Sequence, residues 1–186
     1  MHTYIALLKG INVGGRNLIK MAELRLLFEA IDLGPVQTYI QSGNVLFRSS
    51  EDEEPLRIFL EQQIKREFGF FVPVVLRTSA QMEEFTHNSP FSQEEVAEAE
   101  SNKAGESVYV AFLNQVPSSE SIERIRNYQS ETEKYQIIGS EVYLLFSTSI
   151  RNSKLANNLL KLDASITVRN WKTVNKLVAL AKTMAL

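Results

Sequence analysis

The chain has 186 residues, 44% hydrophobic and 23% charged, with a formal net charge of -2. That is the composition of a globular fold, and no stretch approaches the roughly 18 apolar residues of a membrane-spanning helix, so no membrane partner is expected. Cysteine is absent, which excludes disulfide staples, zinc ribbons and thiol catalysis.

The first compact apolar run, Thr3 to Leu8, has strand length. No basic leader precedes it, which argues against a secretory signal and points to a cytoplasmic protein. A glycine-rich loop follows from Gly10 to Lys20. Leu24, Leu27, Phe28 and Ile31 then recur at helical spacing until Gly34-Pro35 stops them. Val36 to Ile40 reads as a strand, with Ser42-Gly43-Asn44 turning the chain into Val45-Leu46-Phe47. Ser50 and Glu53 have the spacing of a capping box. Leu56, Phe59, Leu60, Ile64 and Phe68 form the next helical stripe, closed by Gly69. Val72 to Leu76 is a fourth strand, and Pro73 suits a sheet edge.

Residues 79–106 read as a structured acidic connector. Met82 and Phe85 indicate a short helix, Glu94, Glu95, Glu98 and Glu100 an acidic surface helix, and Asn102 to Gly105 a break. The order of elements then repeats. Val108 to Leu113 is a strand, and Ile122, Ile125 and Tyr128 mark a helix capped by Ser118 or Ser119. Lys134 to Ile138 and Val142 to Phe146 form a hairpin across Gly139-Ser140. Leu155, Leu159 and Leu160 give a short helix, Ile166 to Val168 a short strand. A final helix carries Trp171, Val174, Val178 and Ala181 on one face, with Lys172, Asn175, Lys176 and Lys182 opposite.

Both halves thus read strand, helix, hairpin, helix, strand, the split-βαβ order. The expected architecture is α+β: two tandem ferredoxin-like βαββαβ units, 1–78 and 107–186, with antiparallel sheets and an extra C-terminal helix. The runs Val108–Leu113 and Val142–Phe146 do not alternate with polar residues, so both faces of those strands should be buried. The partner expected for the face without helices is the other unit's sheet or the C-terminal helix. Tyr109, Phe112, Tyr143 and Phe146 are therefore expected in the core, not as a base-stacking platform of the RNA-recognition type.

Charge is unevenly distributed. Glu51 to Glu106 holds 13 acidic and 5 basic residues, whereas Ile150 to Leu186 holds 7 basic residues against Asp163 alone. A solvated basic face is the bland explanation, and an anionic ligand or nucleic acid the sharper one. Two places suit an anion. Lys9, Asn12, Gly14, Gly15 and Arg16 sit in the glycine-rich loop between strand and helix, with Lys20 beyond, and the topology puts Ser42 and Asn44 beside them. In the second half, Arg151, Ser153 and Lys154 precede one helix and Arg169, Asn170 and Trp171 precede another. These two stretches are expected at one end of the sheet, and all these loops are expected to converge in one cleft. The alternative at each position is structural: tight turns for the glycines, helix caps for the asparagines, core for Trp171. Neither the Walker pattern nor the dinucleotide fingerprint is present. His2 and His87 offer no metal-ligand spacing, so no metal is expected. Any cofactor, the catalytic residues and the oligomeric state stay open.

The stretches Leu7 to Gly15, Met21 to Leu24, Tyr39 to Val45, Asn88 to Phe91, Ser153 to Leu155 and Arg169 to Val174 resemble the bacterial domain-of-unknown-function family sixteen-ninety-seven. The chain departs from it at Lys9, where arginine is common, and at Ser149 to Asn152, where the family has more glycine. The resemblance implies an α+β fold with ferredoxin-like halves and carries no assigned activity. The residues thus leave three readings: a non-catalytic binding module for a phosphorylated small molecule or nucleic acid, an enzyme acting on a phosphate- or nucleotide-containing substrate, and a protein-interaction module working through the acidic connector.

Overall fold

The computed structural model describes residues 1–101 and 105–185. The chain is α+β, with two four-stranded antiparallel sheets. It divides into two compact units, Met1–Phe85 together with the C-terminal segment from Asn175, and Thr86–Val174. The sequence reading placed the whole C-terminal helix in the second unit and set residues 79–106 apart as a connector; the division instead falls within the helices at either end of the second unit. Of the break read at Asn102 to Gly105, residues 102–104 lie outside the described residues.

The first unit runs β1 (His2–Leu8), α1 (Met21–Ala30), β2 (Gln37–Tyr39), β3 (Asn44–Ser49), α2 (Glu53–Phe68), β4 (Val74–Thr78) and α3 (Ser79–His87). The sheet order is β2-β3-β1-β4. The edge position of β4 fits Pro73 just before it, since proline cannot donate to a ladder. Leu24 and Phe28 of α1 and Leu56, Leu60 and Ile64 of α2 pack on one sheet face with Tyr4, Ala6, Leu8, Val45 and Phe47. On the other face Ile5, Leu7, Leu46 and Val75 are also buried.

The second unit contains α4 (Gln93–Ser101), β5 (Val108–Leu113), α5 (Ser119–Arg126), β6 (Glu133–Ile138), β7 (Glu141–Phe146), α6 (Lys154–Asn158), β8 (Ile166–Asn170) and the start of α7 (Trp171–Ala185). Its sheet order, β6-β7-β5-β8, repeats that of the first, so the pair is consistent with two tandem ferredoxin-like units. Ile125, Leu155 and Leu159 cover one face, against Ala111, Leu113, Val142, Leu144 and Phe146. Phe112 and Tyr143 on the other face are fully buried, as is Phe146, and Tyr109 meets Phe146 edge-on at 5.8 Å. Phe112, Tyr143 and Phe146 are core, and Tyr109 is half-buried against it.

A buried carboxylate stitches α2 to β4. Glu61 accepts from the Val74 amide at 2.9 Å and from Arg57 at 2.9 Å. The capping box read at Ser50 and Glu53 does not form, because α2 begins one residue beyond Asp52, which is its N-cap without a side-chain bond. Two arginines hold equivalent positions in the two sheets. Arg77 pairs in register with Ile5 and Arg169 with Val110, and both are buried. Each donates to the carbonyl of the residue before it.

One glycine is sterically obligatory. Gly43 has φ +81, and a Cβ there would lie 2.7 Å from Ile11 Cδ1 and 2.8 Å from Leu8 Cβ. Gly43→Ala should cost about 2–4 kcal/mol, combining overpacking with left-handed strain. Gly14→Ala, with φ +59 but open space around it, should cost only about 1 kcal/mol. Urea unfolding of the two variants measures the difference.

Candidate functional site

The glycine-rich loop leaves β1 and doubles back on itself. Gly14 and Gly15 have φ +59 and +72, the pair of positive values that a tight type I′ turn demands. The Arg16 amide donates to the Val13 carbonyl at 3.1 Å and the Asn12 amide to the Asn17 carbonyl at 3.2 Å. The stretch is thus a miniature hairpin closed by the Asn12 and Arg16 amides. Val13 and Leu18 protrude from it, each 67% exposed.

Asn12 fastens this hairpin to its surroundings. Its Nδ2 donates to the carbonyls of Ile19 and Gln41, both at 2.9 Å, and its Oδ1 accepts from the Ile19 amide at 2.9 Å. The Leu8 amide donates to the Gly43 carbonyl at 2.8 Å. The glycine loop and the β2–β3 turn therefore lie side by side. Asn44, however, is wholly buried, and its Nδ2 donates to Tyr39 O and Ser42 Oγ. Ser42 and Asn44 shape the turn from within.

Between that turn and α1 opens a cleft of about 560 Å³, lined by Asn12, Leu18, Ile19, Lys20, Met21, Ala22, Glu23 and Gln41. The N-cap of α1 is Lys20, which has no acceptor to offer the first amides of the helix. Lys20 pairs with Glu23 at 3.1 Å, but both side chains are well exposed, so water weakens the pair. Arg16 is exposed, and neither Arg16 nor Lys9 makes an ion pair with a described residue.

The second unit treats its helix starts differently. Ser153 is buried and caps α6. Glu133 Oε2 accepts from Ser153 Oγ at 2.9 Å and from the Leu155 amide at 3.0 Å. The chain's own carboxylate thus sits where an anion was expected. Asp163 does the same for α5, accepting from the Ser118 amide and Ser121 Oγ. Those bonds hold its carboxyl at about 2, below the ordinary value of 3.8. Asn170 Oδ1 accepts from the Thr173 amide at 2.8 Å and so caps α7.

The stretches around Ser153 and Asn170 also lie apart. Ser153 is tied to β6 and Asn170 belongs to β8, the two opposite edges of the sheet. Three strand spacings separate these edges, about 14 Å. Sequence reading ended the last strand at Val168; it continues to Asn170, because Arg169 and Asn170 pair with Val110 and Tyr109. That register turns Arg169 inward, where Nη1 bonds Thr167 Oγ1 at 2.7 Å and Val168 O at 3.0 Å. Burial pushes its guanidinium down to about 10. Trp171 is half-buried against Ala99, Val108 and Leu145. Arg151 and Lys154 remain exposed.

Other groups with displaced protonation lie outside the α1 cleft. Arg57 holds the Glu54 carboxyl down through a direct hydrogen bond, and burial raises the Tyr4, Tyr109 and Tyr135 hydroxyls. Among the described residues no group of three or more His, Asp or Glu gathers as a metal site.

Two outcomes follow. Asn12→Ala should destabilise by about 2–3 kcal/mol, one increment for each lost bond, and should speed tryptic cleavage after Arg16; equal cleavage rates would deny Asn12 its fastening role. For Asp163, a lowered folded pKa stabilises above pH 3.8 and loses that contribution as pH falls toward 2. Asp163→Asn should flatten the fall in urea midpoint across that window.

Comparison with known proteins adds identity without activity. The model of the family described as "Protein of unknown function (DUF1697)" matches residues 1–143. No curated protein matches. Among solved structures, conserved bacterial protein SP0830 from Streptococcus pneumoniae is similar at 25% identity and a TM-score of 0.75, over 97% of this chain and 98% of that one. The chain belongs to the DUF1697 family of proteins of unknown function.

Proposed function

We propose that the chain is a non-catalytic binding module for a phosphorylated small molecule or nucleic acid, with both units ferredoxin-like and the ligand seated at the start of α1. One observation carries this reading: α1 opens into the cleft of about 560 Å³ with Lys20 as its N-cap and no side-chain acceptor of its own. The α2 start also lacks a side-chain cap, but Asp52, Glu53 and Glu54 already surround it with negative charge. At α1 the amides of Met21, Ala22 and Glu23 can receive phosphate oxygens. Lys20 and Arg16, with Lys9 nearby in sequence, supply countercharge, and Gly14 and Gly15 set the hairpin beside the cleft. Leu18, Ile19 and Met21 offer the non-phosphate part of the ligand an apolar wall. Asn12, Ser42 and Asn44 hold the frame. In the second unit Arg151 and Lys154 are exposed, while Ser153, Arg169 and Asn170 are engaged in bonds within that unit.

The apolar groove beside Val96 in the second unit supports a second reading, a protein-interaction module working through α4.

A thermal-shift screen against nucleotides, sugar phosphates and short oligonucleotides tests the first reading. A ligand at a hundred times its Kd should stabilise the chain by about 2.7 kcal/mol. Arg16→Ala and Lys20→Ala should weaken that ligand, and rising salt should weaken it further. A hit unaffected by both substitutions would place binding elsewhere, and no hit in any class would remove the proposal.

A further inference from the structure

The groove beside Val96 carries more than an apolar surface. We infer that it docks a basic, apolar peptide segment of a partner protein, which rests on the interaction-module reading and names the partner's chemistry. The groove holds about 330 Å³ and is lined by Ser89, Phe91, Gln93, Val96, Ala97, Glu100, Val108 and Trp171. Gln93, Val96, Ala97 and Glu100 recur at the spacing of one α-helical face, so α4 presents a continuous stripe to it. Phe91, Val96 and Trp171 are half-buried, backed by Ala99, Val108 and Leu145. Trp171 opens a helix capped by Asn170, which places a large aromatic on a fixed support, the kind of residue that dominates binding energy. The volume admits one or two large apolar side chains.

The charge around the groove selects the sign of the partner. Helix α4 carries Glu94, Glu95, Glu98 and Glu100 and no basic residue in its last turn. Glu95 is already engaged, by Lys134 at 3.0 Å. Glu94 and Glu100 are exposed and make no ion pair with a described residue. Glu100 lines the groove itself. An apolar anchor entering beside Trp171 thus brings its neighbours in sequence to carboxylates that make no ion pair with a described residue. Lysine or arginine there gains attraction, and aspartate or glutamate meets repulsion.

Trp171 is the only tryptophan of the chain, so its emission reports occupancy directly in the intact protein. The probes are three short helical peptides of identical leucine pattern, with lysine, glutamine or glutamate at the polar positions. The lysine peptide should shift Trp171 emission saturably, and the glutamate peptide should bind about tenfold more weakly. Glu94→Gln with Glu100→Gln should weaken the lysine peptide about fivefold while leaving the urea midpoint in place. Val96→Asp should abolish the shift in a chain that circular dichroism finds folded. Equal binding of all three peptides would overturn the basic partner and leave an interaction module standing. No shift with any peptide would overturn both. An emission change that follows protein concentration alone would assign the groove to a second copy and overturn the proposal.

Discussion

The first amides of a helix have no acceptor within it, and most of the longer helices here bring one. Thr78 and Gln81 exchange bonds at the start of α3. Ser92 and Glu95 do so at α4. Ser118 and Asp163 serve α5, and Asn170 serves α7. Even the short α6 has Ser153 and Glu133. This accounting organises both units, because each acceptor also ties the helix to a strand or loop. It leaves the start of α1 as a place where an uncapped helix, a cleft and positive charge coincide.

The frame around that place depends on short polar side chains turned inward. Asn12 bonds two backbone segments, at Ile19 seven residues on and at Gln41 29 residues on. Gly43 lets the β2–β3 turn approach Leu8 and Ile11 more closely than any side chain would permit. Ile40, a β-branched residue at φ +48, stores strain in the same turn. The loop is thus a rigid hairpin braced against a neighbouring turn. The brace presents Val13, Leu18 and Arg16 outward.

The sequence revealed what periodicity and turn chemistry govern. Both hairpins, the acidic α4 and the apolar face of α7 follow from spacing alone, as do Leu56, Leu60 and Ile64 of the α2 stripe, whereas Phe59, expected in that stripe, is 39% exposed. The juxtaposition of the glycine loop with Ser42 to Asn44 followed from topology. What spacing could not show were bonds between distant residues. Nothing near Ser153 announces Glu133, 20 residues earlier, as its partner, and nothing near Ser118 announces Asp163. A basic loop ahead of a helix therefore looked like an anion receptor when its anion was already built in. Arg169 and Asn170 looked like a loop because the apolar run of that strand ends at Val168. The signal available was Arg77-Thr78, the same arrangement of Arg and a capping residue ahead of a helix in the first unit.

In the proposed function the start of α1, uncapped by any side chain and open to a cleft, takes an anion. Backbone amide resonances followed during a titration with inorganic phosphate test it most directly. Saturable shifts are expected at Met21, Ala22 and Glu23, with the amides at the starts of α5, α6 and α7 unmoved. Shifts centred on those other helix starts, or small shifts spread evenly over the chain, would contradict it.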